Sequence, residues 1–186
     1  MKLLSATLAF SLLFALSSCE DDNSTTSTTT TNNSNTNSNL SINTILPGNW
    51  NIDNVEQKGG KNYLPGTSTL VSTFTGIGEN VSGSMDFSAD PNLLTSSLSY
   101  DMKLDIAFQN PAIPNQTPTI PGPAINSNGT WAFDADSSIV FTDSNNMKKY
   151  YTVENKTAST LELSTPVNTT ITGQNAGFSL HIFLSK

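Results

Sequence analysis

The sequence predicts an all-β fold, an antiparallel meander closing into a β-barrel, carried behind a disordered tether. Three observations predict it. From Leu46 onward the apolar residues never settle into a helical period; they alternate, or stand in short runs split by turn residues. Leu94 to Gln109 alternates strictly, with Leu98, Tyr100, Met102, Leu104, Ile106 and Phe108 on one face and Ser97, Ser99, Asp101, Lys103, Asp105 and Gln109 on the other. The connections at Asp90-Pro91-Asn92, Asp134 to Ser137, Asp143 to Asn146 and Asn155 to Thr157 are short, so successive strands should be antiparallel neighbours. The same pattern also fits two facing sheets, and a β-sandwich stands as the alternative.

The chain begins with Lys2 and an apolar run from Leu3 to Leu16, broken only by Ser5, Thr7 and Ser11. A positive start, a short apolar stretch and small residues at the break make a secretory signal. The run falls short of the roughly 20 apolar residues a transmembrane helix needs. It ends in Leu16-Ser17-Ser18-Cys19, followed by Glu20-Asp21-Asp22. That junction resembles the lipobox of bacterial lipoproteins, in which the cysteine is lipidated on sulfur and becomes the new N-terminus. The resemblance implies residues 1–18 as signal peptide, Cys19 as the lipidation site and a membrane held through the anchor. One acyl chain holds a protein only marginally, so a lasting anchor needs two or more, at roughly 0.8 kcal/mol per buried CH₂. The acidic triplet is similar to the short signal that sends some lipoproteins to the outer face of the outer membrane, which implies display at the cell surface, with the periplasmic face as the alternative. By its charge alone it reads as a solvated stub keeping the tether off the membrane.

Residues 19–45 read as acidic stub and tether. Asn23 to Asn39 contains only Asn, Ser and Thr, so nothing can be buried to offset the entropy of ordering it. A flexible chain of about 25 residues spans on the order of 25–30 Å, enough to lift a small domain off a membrane. Residues 46–186 then form the folded domain, with strands expected at 49–57, 68–76, 80–87, 94–109, 129–134, 138–142, 148–154, 158–164 and 176–185. At about 3.3 Å per residue the fourth of these is longer than an ordinary strand, so it should bend at a bulge or project as a hairpin arm. The loop Asn110 to Asn126 carries Pro111, Pro114, Pro118, Pro121 and Pro123, which should make it stiff and unable to pair as a central strand. Loops this long are often functional. The closing strand turns Phe178, Leu180, Ile182 and Leu184 inward, and pairing it with the first strand would close a barrel.

Gly48-Asn49-Trp50 is similar to the Gly-x-Trp opening of lipocalins. Asn128-Gly129-Thr130-Trp131-Ala132-Phe133, Ile139-Val140-Phe141-Thr142, Tyr150-Tyr151-Thr152-Val153 and Thr160-Leu161-Glu162-Leu163 resemble the lipocalin-like domain of many bacterial lipoproteins. The resemblance covers residues 46–186 and implies a cup that holds a small hydrophobic molecule or is filled by its own side chains. The chain departs from animal lipocalins in one respect: an arginine packs over the tryptophan there, and this chain has no arginine.

Composition excludes more than it assigns. The formal net charge is −7 and every basic residue is lysine, which argues against nucleic acid and phosphate as partners. With Cys19 the only cysteine, neither an intrachain disulfide nor a thiolate metal cluster can form. The single histidine, His181, reads as an ordinary residue of the sheet wall. Asp101 and Asp105 flank Lys103 on the wet face of their strand, where a charged face is commoner than a catalytic pair. Asp134, Asp136 and Asp143 sit in turns that favour aspartate anyway and fit no calcium loop. Lys58-Gly59-Gly60-Lys61-Asn62 lacks the pattern of a phosphate loop and reads as a turn. The chain is therefore expected to be no enzyme and to need no metal or cofactor. The candidate cavity-lining residues are Trp50, Leu98, Tyr100, Met102, Leu104, Trp131, Phe133 and Tyr151. The alternative is a filled core, with exposed loops serving a protein or glycan partner.

Overall fold

A computed structural model describes residues 41–135, 137–171 and 174–186. A four-residue helix α1 (Ile42–Ile45) leads into β1 (Gly48–Tyr63), β2 (Leu70–Ser88), β3 (Leu93–Phe108), β4 (Thr119–Pro121) and β5 (Ile125–Ala135). These are followed by β6 (Ser138–Asp143), β7 (Lys148–Lys156), β8 (Thr160–Ile171) and β9 (Gln174–Ser185). All strand pairs are antiparallel. The strands form one nine-stranded sheet in the order β2-β1-β9-β8-β7-β6-β5-β3-β4, and a further β2–β3 pairing joins the sheet back on itself. Leaving out β4, the strands make a ring of hydrogen bonds in which the first, β1, meets the last, β9. Pairing is continuous around the ring, so the chain does not divide into two facing sheets.

The expected elements are present, with three differences beyond the length of β1. Lys58 to Asn62, expected to turn, continues that strand, because a register shift with Gly59 at φ 63° absorbs the irregularity and pairing resumes on both edges. The runs 68–76 and 80–87 are one strand: the chain passes through a register shift between Glu79 and Ser82, where Asn80 takes φ 54°. A bulge absorbs the extra residue and lets β2 run on. The long β3 does not project: it pairs with β2 from Leu93 to Phe108, with the bulge falling in β2, and shares its other edge between β5 and β4.

The third difference lies in the proline-rich segment, half of which pairs after all. Ile106 and Gln116 exchange backbone hydrogen bonds, Leu104 N donates to the Pro118 carbonyl, and Gly122 N donates to the Tyr100 carbonyl. Even-numbered residues therefore face β3, while Pro121 and Pro123 turn their missing N–H toward the free edge. Only Pro118 forfeits a ladder bond. Prolines at these positions make an edge strand, where the lost donors cost little.

The core sits within the ring. Trp50, Phe87, Met102, Ile139, Leu163, Leu184 and Val55 have essentially no exposed surface, and a T-shaped aromatic series runs from Phe87 through Trp131 to Phe133. Folded structure starts before residue 46: Ile42, Ile45 and Leu46 are buried in the same core, so α1 belongs to the domain and not to the tether. The apolar side chains of Ile42 and Ile45, set after a polar run, supply burial that the Asn/Ser/Thr residues cannot.

Gly48 and Gly129 show what the ring requires of its backbone. Gly48 has φ +124°, a conformation that L side chains rarely adopt, where the chain turns from α1 into β1. Gly129 lies so near β6 that a Cβ there would strike the Thr142 carbonyl and the Phe141 ring.

Candidate functional site

The two ends of the ring differ. At the floor, α1 closes the bottom through three hydrogen bonds: Trp50 Nε1 donates to Leu46 O at 2.8 Å, and Lys186 Nζ donates to Ile45 O at 2.6 Å and Pro47 O at 3.1 Å. The same ammonium lies 4.5 Å from the centre of the Trp50 ring. The C-terminal lysine thus satisfies carbonyls at the end of a short helix and adds a cation–π contact. The position over the tryptophan, which lacks an arginine in this chain, is filled by Lys186.

The other end is incomplete. The β6–β7 hairpin is short, and pairing stops at Gly129–Asp143 on one side and at Thr152–Ser164 on the other. Beyond those points Ile125–Asn128 of β5, the outer edge of β4, and Thr165–Ile171 of β8 have no strand partner on that side among the described residues. A window is left in the wall above the hairpin. Leu104, Ile120, Ile125, Tyr151, Val167 and Phe178 belong to the inner apolar cluster and are only partly buried. Lys149 stands among them by register: it is opposite Phe141, whose side chain is buried inward, and its Nζ lies 5.8 Å from the Tyr151 ring centre. Desolvation pulls the Lys149 ammonium below the usual lysine value, although the side chain remains open to solvent at the window. Burial pushes the Tyr151 hydroxyl up to about 12.

The residues expected to line a cavity divide between these ends. Trp50, Leu98, Tyr100, Met102 and Trp131 are at most 6% exposed. All five belong to the buried hydrophobic core. Tyr100 is covered by the returning proline-rich segment, since a Cβ at Gly122 would meet its ring. Leu104, Phe133 and Tyr151 are partly buried. Reading the sequence missed Ile120, Ile125 and Lys149. The first two lay in the segment taken for a loop; Lys149 broke the inward apolar pattern Phe141–Tyr151–Val153 and was the available signal.

On the outside, a groove of about 410 Å³ crosses β3, β5 and β6, lined by Leu93, Thr95, Asn128, Thr130, Thr142 and Asn146 among others. It lies on the opposite face from the core, because Leu93, Thr130 and Thr142 stand side by side in register while their neighbours Leu94 and Phe141 are buried.

His181 points outward and is tied into a polar seam between the last strand and its neighbours. Its Nδ1 lies 2.9 Å from Glu162 Oε1, and Lys58 Nζ reaches the same oxygen at 3.5 Å and Glu56 Oε2 at 3.1 Å. Partial burial by itself pushes the Glu162 carboxyl up; hydrogen bonds from Asn155 and His181 and the charge of Lys58 outweigh it and hold the carboxyl below its ordinary value. Asp101 accepts a hydrogen bond from Asn80 and Lys103 pairs with Glu79, so that wet face has structural partners. No group of three metal-ligating side chains occurs among the described residues. Cys19, the expected signal peptide, the expected tether up to residue 40 and Asp136 lie outside the described residues.

No family model matches the chain, and no curated protein or solved structure does either.

Proposed function

We propose that the protein is a lipid-anchored lipoprotein of the outer membrane, displayed at the cell surface, whose lipocalin-like domain holds a small hydrophobic molecule at the window. The anchor rests on Leu16-Ser17-Ser18-Cys19 and its acidic sequel. One observation carries the ligand: half-buried apolar side chains on the inner face, Leu104, Ile125, Tyr151, Val167 and Phe178 among them, stand beside a gap in the wall. Apolar walls with one or two polar groups are the usual makeup of a small-molecule site. The filled floor argues that such a ligand would enter only part of the ring, with its depth set by Met102 and Tyr100. Binding is the proposed activity.

The test is direct. The unlipidated full chain, made with Cys19→Ala, should enhance the fluorescence of the neutral apolar probe N-phenyl-1-naphthylamine, and Val167→Glu should abolish the signal while the far-ultraviolet spectrum stays that of a β protein. A wild-type chain that leaves the probe dark would sink the ligand reading. For the anchor, Cys19→Ala should lose labelling by a fatty-acid analogue. Protease added to intact cells should release the domain if it is displayed outside.

A second reading has its own observation. The outer groove is edged by hydroxyl and amide side chains, Thr95, Asn128, Thr130, Thr142 and Asn146, which suit a surface module that meets a glycan or a protein. Asn128→Trp, filling the groove, should leave probe binding intact and remove any partner that uses this face.

A further inference from the structure

An unpaired lysine on the inner face of a sheet is out of place, and its position suggests what it is for. Lys149 lies at the near edge of the window, one side of which is β8 and the other β5. Continuing the Thr152–Ser164 register brings Val167 opposite it. Its own strand places Tyr151 beside it, with the ammonium 5.8 Å from that ring. Among the described residues no carboxylate pairs with it: the ion pairs there are those of Lys58, Lys103 and His181. The nearest acidic residue on the same face, by register, is Asp143 at the hairpin tip. One oxygen of that carboxylate is taken up by the backbone N–H groups of Asn145 and Met147, at 2.8 and 2.9 Å. Lys148 pairs with Thr142 and leaves the sheet on the outer face.

A cation on the inner face beside apolar side chains has no counter-charge among the described residues, and an anion reaching the window would supply it. The apolar residues around it ask for a tail. Resting on the proposal that the inner face holds a hydrophobic molecule, we infer that the ligand is amphipathic: a free long-chain carboxylate whose head group meets Lys149 at the window and whose chain lies along Ile125, Val167 and Leu104. The lysine sets the orientation, head at the rim and tail toward Met102. The inward alternation of β7, in which Lys149 stands where Phe141 and Val153 would predict an apolar residue, thus becomes a specificity determinant.

The experiment compares two probes of equal chain length, dodecanoate and dodecanol, as competitors for N-phenyl-1-naphthylamine on the unlipidated full chain. Dodecanoate should bind about tenfold tighter, the order of preference that a hydrogen bond to a charged group confers. Lys149→Met should bring the two probes to parity without loss of the neutral probe, and Lys149→Arg should keep the preference. Equal affinities on the wild-type chain, or a preference that survives Lys149→Met, overturn the inference while leaving the hydrophobic site standing. Failure of all three probes, the neutral one included, overturns the site itself and the inference with it.

Discussion

Trp50 and Tyr151 both point into the ring, and their surroundings could hardly differ more. Trp50 has no exposed surface, donates to Leu46 O, and carries the Lys186 ammonium on its face. Tyr151 is partly buried beside a gap where β7 and β8 part company. The floor is finished because three separate pieces of chain converge on it: α1, the mouth of β1 and the C-terminal lysine. The window is unfinished because β6 and β7 are too short to follow β5 and β8 to their ends. In this fold the wall is as tall as its shortest hairpin allows, and the place where it runs out is where function is sought.

The largest break in that contrast should come from Trp50→Ala, which removes a fully buried ring and the acceptor of the Lys186 contact. A loss of about 3–5 kcal/mol is expected in urea denaturation. Like chemistry at the two ends makes a sharper comparison: Leu184→Ala, two residues from Lys186 at the floor, should cost about 2–5 kcal/mol, and Leu104→Ala, half covered on the inner face, about half as much. Equal losses would mean that the inner face is uniformly packed.

Gly129→Ala comes next, at about 1–3 kcal/mol, because its Cβ would meet the Thr142 carbonyl, and backbone cannot step aside as a side chain can. Lys186→Ala should cost about 1 kcal/mol and shift tryptophan emission as α1 loosens from Trp50, while leaving probe binding at the window unchanged.

The smallest effects are pH-dependent. Glu162 has its carboxyl held below its ordinary value of 4.5, so as pH falls the folded state binds its proton later than the unfolded chain does. Its stabilisation is therefore full above that value and is lost as pH falls through the lower folded one. The stability gap between wild type and Glu162→Gln should close over that acid range in denaturant titrations. Tyr151 works in the other direction: the unfolded chain ionises near 10 and the folded one at about 12. Stability is full below 10 and falls between the two values, and the phenolate absorbance missing from Tyr151→Phe should be the part that rises latest.

Much of the wall was legible beforehand. The inward faces Trp131–Phe133, Ile139–Phe141, Leu161–Leu163 and Phe178 to Leu184 are as the alternation foretold, because a strand with one buried face must repeat every second residue. The proline-rich segment misled for a physical reason. Proline is excluded from a strand only where its nitrogen would have to donate, and which edge each nitrogen faces depends on register with β3. The candidate cavity residues show a different limit. Alternation reports which face Met102 or Trp131 takes, and says nothing of whether that face meets solvent, a ligand or another side chain.

The sequence by itself determined the class of fold, the antiparallel order of the strands and which side chains face the core, since each follows from local periodicity and short turns. It also carried the Cys19 junction and the absence of arginine and of a second histidine. Tertiary structure alone decided that Lys186 lies over Trp50, that the proline-rich segment returns along β3, and that the wall opens above the β6–β7 hairpin. Those outcomes depend on how strands of unequal length meet after the ring has closed, a relation among residues distant in the chain that no local pattern records.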